Sequence, residues 1–407
     1  MLLIGIDWAQ HKHDVVLMDP SGTLIRRMTL THGADGLQEL GQVIAEHEPD
    51  PQQVRVGVEL HNGALLAWLL EQQYVVYGIN PKSSQKARDL YRPAGAKDDR
   101  SDAFILAEMI RTDAGRLRPV RDDSPLTQKL KLLVALRASR VEERADYCKR
   151  LRTLLNEWSP EVSKLCGDPI RIAWQRDLIQ KFPLHEELAA AHGNRIRAFC
   201  RRHRLCEKTR QRVDQTRHAA TLPIPETRRS ILRMEILYLI DQVDRIGKAV
   251  DEIEAQLDEC VAEHPDAFIF QSLPVRGTAT TAALLSLWGE NRDQAPSWSA
   301  VAARCGMAPV TVASGRCRRV RYRRACDNLA RRAMQFFAFN TAFTDDTWAA
   351  EYYRAKRQAG AAHFTALRCL AQRWIKIIDK LWKQRVPYDE QFHQARRQQR
   401  LSAITCA

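Results

Sequence analysis

The stretch KDDRSDAF, residues 97–104, sets Asp98, Asp99 and Asp102 beside Lys97 and Arg100 in a chain that is otherwise basic. Carboxylates this close repel one another unless a cation sits among them, whether a neighbouring Lys or Arg or a bound divalent ion. Two more acids end apolar runs, Asp7 in IGIDWA and Glu59 in VGVELHN. Asp99 and Asp102 are three apart, so on a helix they share one face. If Asp7 and Glu59 close neighbouring strands, both emerge at one sheet edge, and a helix packed there brings four carboxylates together. That set suits Mg²⁺ or Mn²⁺. Two ions about 4 Å apart can activate the attacking oxygen and stabilise the leaving oxygen of an in-line displacement on a phosphodiester. Each acid also has a plainer explanation: Asp7 as a turn cap, Glu59 as a solvated strand end, and Asp99 with Asp102 at the positive end of a helix dipole. The site reading rests on all four standing at element termini together.

The elements that must position these acids follow from pattern. LLIGIDW, DVVLMD, GTLIRRMTL, VRVGVEL and YVVYGIN read as five strands. The first three are close enough for a meander of hairpins. Residues 33–48 then supply a helix before the fourth strand, and residues 62–72 another before the fifth. Three strands in succession followed by helix-separated strands is the order of a ribonuclease H-like α/β sheet, whereas a doubly wound fold alternates from the start.

Residues 124–160 change character, with Leu126, Leu130, Leu133, Val141, Ala145, Cys148, Leu151, Leu155 and Trp158 at helical spacing among Arg, Lys and Glu. A second long helix is predicted over 228–263, where Ile236, Leu239, Val243, Ile246, Val250, Ile253 and Leu257 make a coiled-coil-like seam. The seam needs a partner, either the 124–160 helix or the same segment of another subunit. Between the two lies NRIRAFCRRHRLCEKTRQRVDQTRH, read as helices with a basic face. Cys200, His203 and Cys206 are metal-ligand types, but their spacing lacks paired clusters and a fourth ligand, so ordinary helical residues are expected. The last third is mainly helical, with CGMAPVTVASGRCRRVRYRRACDN as an extended or looped interruption and FHQARRQQRLSAITCA as a solvated tail. The expected divisions are 1–115, 116–264, 265–385 and a basic tail at 386–407.

With 407 residues and 45% hydrophobic content the chain can bury a sizeable core, which excludes a single small module. Its formal charge of +14 favours a polyanionic partner, nucleic acid ahead of an acidic membrane surface. The opening MLLIGIDWAQ lacks the basic and cleavage regions of a signal peptide, and no apolar run approaches the ~20 residues of a membrane span, so a cytoplasmic protein is expected. The ten Cys are scattered without a CxxC pair and read as reduced, mostly buried residues.

GIDWA, VELHNG and KDDRSDAF together resemble the DEDD signature of the IS110-family transposases, with Asp7, Glu59, Asp99 and Asp102 at the matching positions. LPVRGTATTAALLSLWGE and CGMAPVTVASGRCRRVRYRRACDNLARRAMQFFAF are similar to the C-terminal transposase domain of that family. The resemblance covers the first 115 residues and roughly 265–385; the middle region shares only helical character and is longer than in compact members. PVRG has Val275 where the family shows a first glycine, and Arg316 stands where a second glycine commonly follows the serine.

The resemblance implies a RuvC-like first domain holding Mg²⁺ or Mn²⁺ and a serine nucleophile, which carries over to Ser314 before Gly315. It further implies DNA as substrate, a noncoding guide RNA from the element, and an oligomer, dimer or tetramer, whose sites combine the acidic domain of one subunit with the serine domain of another. A serine ester retains the phosphodiester bond energy, so a cut strand can be rejoined elsewhere. Arg316, Arg318, Arg319, Arg321, Arg323 and Arg324 are placed to neutralise phosphates around the cut. Trp348, Tyr352, Tyr353, Trp374 and Trp382 lie on helical repeats and are expected in the core.

The expected function is therefore a transposase of an insertion sequence, acting at the nucleoid. Three rivals stand beside it: a RuvC-like nuclease using water as nucleophile, an actin-like phosphotransferase suggested by GIDWAQHKHD but lacking further glycine-rich phosphate loops, and a basic nucleic-acid binder with decayed acids.

Overall fold

The structure, a computed structural model, describes residues 1–59, 63–91, 99–117, 119–120, 123–167, 170, 172–275, 277–292, 297–314 and 317–395, with the backbone alone at 82, 91 and 99–101. Lys97 and Asp98 therefore lie outside the described residues, as do the side chains of Asp99 and Arg100. The chain divides into two compact units, Met1–Ser124 with Asn291–Ala295, and Pro125–Glu290 with Pro296–Ala407.

The first unit holds β1 (Leu2–Trp8), β2 (Lys12–Met18), β3 (Leu24–Thr31), α1 (Ala34–His47), β4 (Val54–Glu59), α2 (Ala64–Glu71), β5 (Val75–Ile79), α3 (Pro81–Tyr91) and α4 (Asp99–Asp113). The strands form one sheet in the order β3-β2-β1-β4-β5. β1, β2 and β3 run antiparallel in succession, as tight connections require, while β4 and β5 run parallel to β1 after their helical crossovers. All five expected strands form. Alternation gives the sheet two apolar faces. Leu2, Ile4, Ile6, Val15, Leu17, Val54, Val56 and Val58 bury against Leu40, Val43 and Ile44 of α1 and Leu65 and Leu69 of α2. Leu3, Val16, Met18, Tyr77 and Ile79 bury against Ala103, Leu106, Ala107 and Ile110 of α4.

The second unit is built on α5 (Pro125–Trp158) and α11 (Glu226–Glu263). These two long helices pack on each other, and Arg137 pairs with Glu254 across them at 2.6 Å. The partner of the apolar seam thus lies in the same chain: all seven seam residues of α11 are buried, as are Leu130, Leu133, Cys148, Leu151 and Leu155 of α5. Between them come α6 (Pro160–Cys166), α7 (Ala173–Lys181), α8 (His185–Ala189), α9 (Gly193–Arg202) and α10 (Glu207–His218). Their apolar sides make a core with the C-terminal part of α5 and the N-terminal part of α11, including Val162, Leu178, Phe182, Ile196, Phe199 and Val213.

The remainder is α12 (Ala267–Gln271), α13 (Thr278–Trp288), α14 (Trp298–Arg304), the hairpin β6 (Val310–Ser314) and β7 (Cys317–Arg321), α15 (Asn328–Ala342), α16 (Trp348–Gln358) and α17 (His363–Gln384). Trp348, Tyr353, Trp374 and Trp382 are buried as expected. Tyr352 is half-buried, with Lys356 and Arg373 over its ring.

Three details of the packing go beyond the sequence reading. The first compact unit runs to Ser124, because Pro119 still bridges to Tyr77 of β5. Residues 125–290 and 296–407 cluster in one compact unit, in which α13 packs on both α5 and α11. The segment between α17 and the expected solvated tail is anchored: Tyr388 is buried, receives a hydrogen bond from Trp348 Nε1 at 2.6 Å, and donates from its backbone to Ser272 Oγ at 2.7 Å. Residues 396–407 lie outside the described set.

Candidate active site

Glycines set the geometry of the acidic site. Gly5 of β1 and Gly57 of β4 are register partners. A Cβ on Gly5 would stand 1.9 Å from the Ala103 carbonyl oxygen, and one on Gly57 2.8 Å from that of Leu106, so the α4 backbone lies directly on these strands. Side chains two residues apart on a strand share a face, so Asp7 and Glu59 project on the α4 side of the sheet. Ile6 pairs with Val58, and Asp7 and Glu59 are the next position along each of two parallel strands. Both acids are half-buried. Asp102 immediately precedes the Ala103 that touches Gly5, which puts it over the same face; it is 8% exposed. Asp99 is the first residue of α4.

Two basic or hydroxyl partners hold these acids, and neither was read from the sequence. Arg88 of α3 donates to Asp102 through Nε to Oδ1 at 2.6 Å and through Nη2 to Oδ2 at 2.7 Å. The buried hydroxyl of Ser84 lies 2.6 Å from Glu59 Oε1 and 2.9 Å from the Pro81 carbonyl. A further carboxylate was also missed. Asp14 is the cross-strand partner of Asp7, and residues directly opposed in an antiparallel pair share a face. Its Oδ1 accepts a hydrogen bond from Thr29 Oγ1 at 2.7 Å. The signal was present in DVVLMD, where Asp14 falls in phase with Val16 and Met18 on the α4 face.

Carboxylate oxygens are the donors that a hard divalent cation takes, and Asp7 and Glu59 end neighbouring strands on the α4 side of the sheet. Among the described residues, no three His, Cys, Asp or Glu side chains gather closely enough to hold a metal ion, and the guanidinium of Arg88 supplies the positive charge at Asp102. Cys200, His203 and Cys206 likewise form no cluster: Cys200 is buried, His203 lies 3.1 Å from Asp177, and Cys206 lies 3.2 Å from Thr209 Oγ1.

In the second unit, Ser314 is the last residue of β6 and the cross-strand partner of Cys317; Gly315 and Arg316 between them lie outside the described residues. Pairing places Ser314, Val312, Arg319 and Arg321 on one face of the hairpin and Arg318 and Val320 on the other. Both faces meet solvent, with Val320 65% exposed. Arg323 donates from Nε to the Ala308 carbonyl at 3.2 Å, and the Arg324 carbonyl accepts from Arg331 at 2.8 Å, so these two flank the hairpin as part of its base. No acid or histidine occurs from Val310 to Arg324, so the hairpin brings no general base to its own serine.

Two family models match this chain. A transposase model, the DEDD domain of IS110-type transposases, matches residues 4–160, and a model described as Transposase IS116/IS110/IS902 family matches residues 267–354. The chain belongs to the IS110-family transposases. As such it is an enzyme of the DNA transposase and recombinase class, and its substrate is DNA. A Streptomyces coelicolor mini-circle protein assigned as the transposase for IS117 is 29% identical over 399 residues, covering 95% of each chain. The 43.6 kDa protein of insertion element IS110 from the same species is 26% identical over 72% of each chain. The 42 kDa protein of insertion element IS900 from Mycobacterium paratuberculosis is 23% identical over 92% of this chain and 94% of its own. The two IS110-family models fall on the two places where candidate chemistry was read, the carboxylate edge and the serine hairpin. Among the described residues, no helix of this transposase is long and apolar enough to cross a membrane.

Proposed function

We propose that this transposase cuts and rejoins the DNA of its insertion element through an ester on Ser314, assisted by Mg²⁺ or Mn²⁺ at Asp7, Glu59, Asp99 and Asp102. The strand order β3-β2-β1-β4-β5, with three antiparallel strands followed by two parallel to β1, is the arrangement of a ribonuclease H-like, RuvC-like sheet and supports that assignment for the first unit. The packed pair α5 and α11 supports a coiled-coil-like middle region.

The observation that carries the reading is the setting of Ser314. It stands at the end of a solvent-exposed hairpin with Arg319 and Arg321 on its face, while the carboxylates belong to the other compact unit. A two-stranded ribbon open on both sides is marginal by itself. A polyanion laid along it meets Arg319 and Arg321 with the hydroxyl between them and the turn. In the reaction, Ser314 Oγ attacks the scissile phosphorus as the P–O bond to one strand end breaks. The serine proton passes to the departing strand oxygen, which leaves as a hydroxyl; one phosphodiester is exchanged for another, and the reverse reaction rejoins a strand. A divalent ion, when bound, supplies charge neutralisation and activation of the nucleophile. The close seat of α4 on β1 and β4, with Asp7 and Glu59 on the α4 side of the sheet, supports that role for the acids.

Because the hairpin carries no base, activation of its serine falls to acids elsewhere, and the family resemblance implies composite sites in an oligomer. An element-encoded guide RNA pairing with donor and target DNA completes the reading, in keeping with the family resemblance and the basic charge.

The test is to incubate the protein with element-end DNA in Mg²⁺ and look for a DNA strand covalently attached to Ser314 by peptide mass spectrometry, with any co-purifying RNA sequenced. Ser314→Ala should bind DNA and form no adduct. If Ser314→Ala still cleaves, the enzyme is a water-using nuclease.

A further inference from the structure

Half of the chain's formal charge of +14 sits in one corner of the second unit. From Gly193 to His218 there are nine Arg or Lys against two acids, a balance of +7. The fold sorts these cations. α9 buries Ile196, Phe199 and Cys200, and α10 buries Val213 and Thr216, which turns the charged sides of both helices outward. Arg210 and Arg217 are paired with Glu207 and Asp214, each at 3.8 Å, and Arg212 donates to the carbonyls of Lys164 and Leu165. Four others, Arg201, Arg202, Arg204 and Lys208, are exposed and have no carboxylate partner among the described residues. They follow one another from the last turn of α9 through the connection into the first turn of α10.

Local structure accounts for only part of this run: Arg201 and Arg202 lie in the last turn of α9, where the helix dipole favours cations. Arg204 sits at φ +48°, in the left-handed region where glycine or asparagine relieves strain. Lys208 lies in the first turn of α10, where the helix dipole disfavours a cation. Arg197 and Arg201 are one helical turn apart with like charge. A sequence that keeps cations in three unfavourable local settings points to a partner that repays them.

The chemistry of the corner selects that partner. Of Phe, Tyr and Trp, residues 193–218 hold only Phe199, which is buried, so no exposed large aromatic ring offers a platform on which single-stranded bases could stack. The apolar faces of α9 and α10 are turned inward, so neither helix can enter a lipid surface. Guanidinium forks on two short, well-anchored helices fit the phosphates of a duplex. We propose that the α9–α10 corner is a sequence-independent docking surface for the phosphate backbone of duplex DNA. This rests on the reading that DNA is the substrate, and it assigns the basic middle region a role separate from the serine hairpin.

The test uses the full chain and fluorescein-labelled duplex DNA, with anisotropy titrations over a series of salt concentrations. Replacing Arg201, Arg202, Arg204 and Lys208 together by Gln should lower the slope of log K against log salt by about 3.6 if all four meet phosphates, at ~0.9 each. Arg204→Gly alone should lower it by ~0.9 without lowering the melting temperature, because glycine accepts that backbone; this variant separates lost contacts from lost fold. Formation of the Ser314 adduct at saturating DNA should be unchanged in both. An unchanged slope with wild-type binding intact overturns the docking surface and leaves the proposed function standing. A larger loss on duplex RNA than on duplex DNA overturns it in favour of RNA. A wild-type chain that binds no duplex overturns both.

Discussion

Arg88 grips both carboxylate oxygens of Asp102, with Nε 2.6 Å from Oδ1 and Nη2 2.7 Å from Oδ2. The pair joins α3 to α4, and the Asp102 side chain is only 10% exposed. Removing one partner of a shielded pair leaves a charge with poor solvation, at about 3 kcal/mol or more. Arg88→Ala should therefore melt earlier than wild type in EDTA. A divalent ion can replace the lost positive charge, so Mn²⁺ should raise the melting temperature of Arg88→Ala by more than that of wild type. Scanning fluorimetry with and without Mn²⁺ measures both, and equal metal-induced shifts would remove Asp102 from the metal site.

Gly5 admits α4 to the sheet. Its Cβ would lie 1.9 Å from the Ala103 oxygen and 2.6 Å from the Ala107 nitrogen, both backbone atoms that cannot rotate away. Gly5→Ala should destabilise the first unit by about 3 kcal/mol or more and shift α4, with its Asp102, on the sheet. Urea unfolding followed by circular dichroism would give the first effect. A variant as stable as wild type would mean that α4 does not sit on β1 this closely.

His13 gives stability a pH dependence. Its ring is 1% exposed, with Nε2 3.0 Å from His32 Nδ1. Burial first, and then the charge of His32, hold its pKa below the ordinary 6.5. The unfolded chain takes up a proton near pH 6.5 that the folded chain refuses, so this contribution is complete above pH 6.5 and is lost as pH falls toward the folded value. Urea midpoints should fall below pH 6.5 in wild type and fall less in His13→Leu.

Tyr388 fastens the segment after α17. Its hydroxyl accepts from Trp348 Nε1 at 2.6 Å and donates to Glu390 Oε2 at 2.7 Å. Burial and then Glu390 push its ionisation upward. Tyr388→Phe keeps the ring and removes both bonds, and should cost about 1–3 kcal/mol in urea unfolding. An unchanged midpoint would show that the segment contributes nothing through this hydroxyl.

The sequence by itself determined the elements. Apolar alternation marked five strands, and β1 and β4 each close on or beside the acid that was singled out, Asp7 and Glu59. The spacing of Ile236 through Leu257 marked a long helix whose seven seam positions are all buried. These features are local, because side-chain periodicity and backbone geometry are set within a few residues. VTVAS and CRRVR were read only as extended or looped: each is five residues long, and CRRVR lacks the apolar alternation that marks a half-buried strand.

Tertiary structure alone decided which residues answer one another across the chain. Ser84 meets Glu59 over 25 positions, Arg88 meets Asp102 over 14, and Trp348 meets Tyr388 over 40. The register that sets Asp14 opposite Asp7 is chosen by the pairing of whole strands, and the seam of α11 found its partner in α5 of the same chain. Such pairings depend on how faces pack, and one residue type in one place fits many partners until packing selects among them.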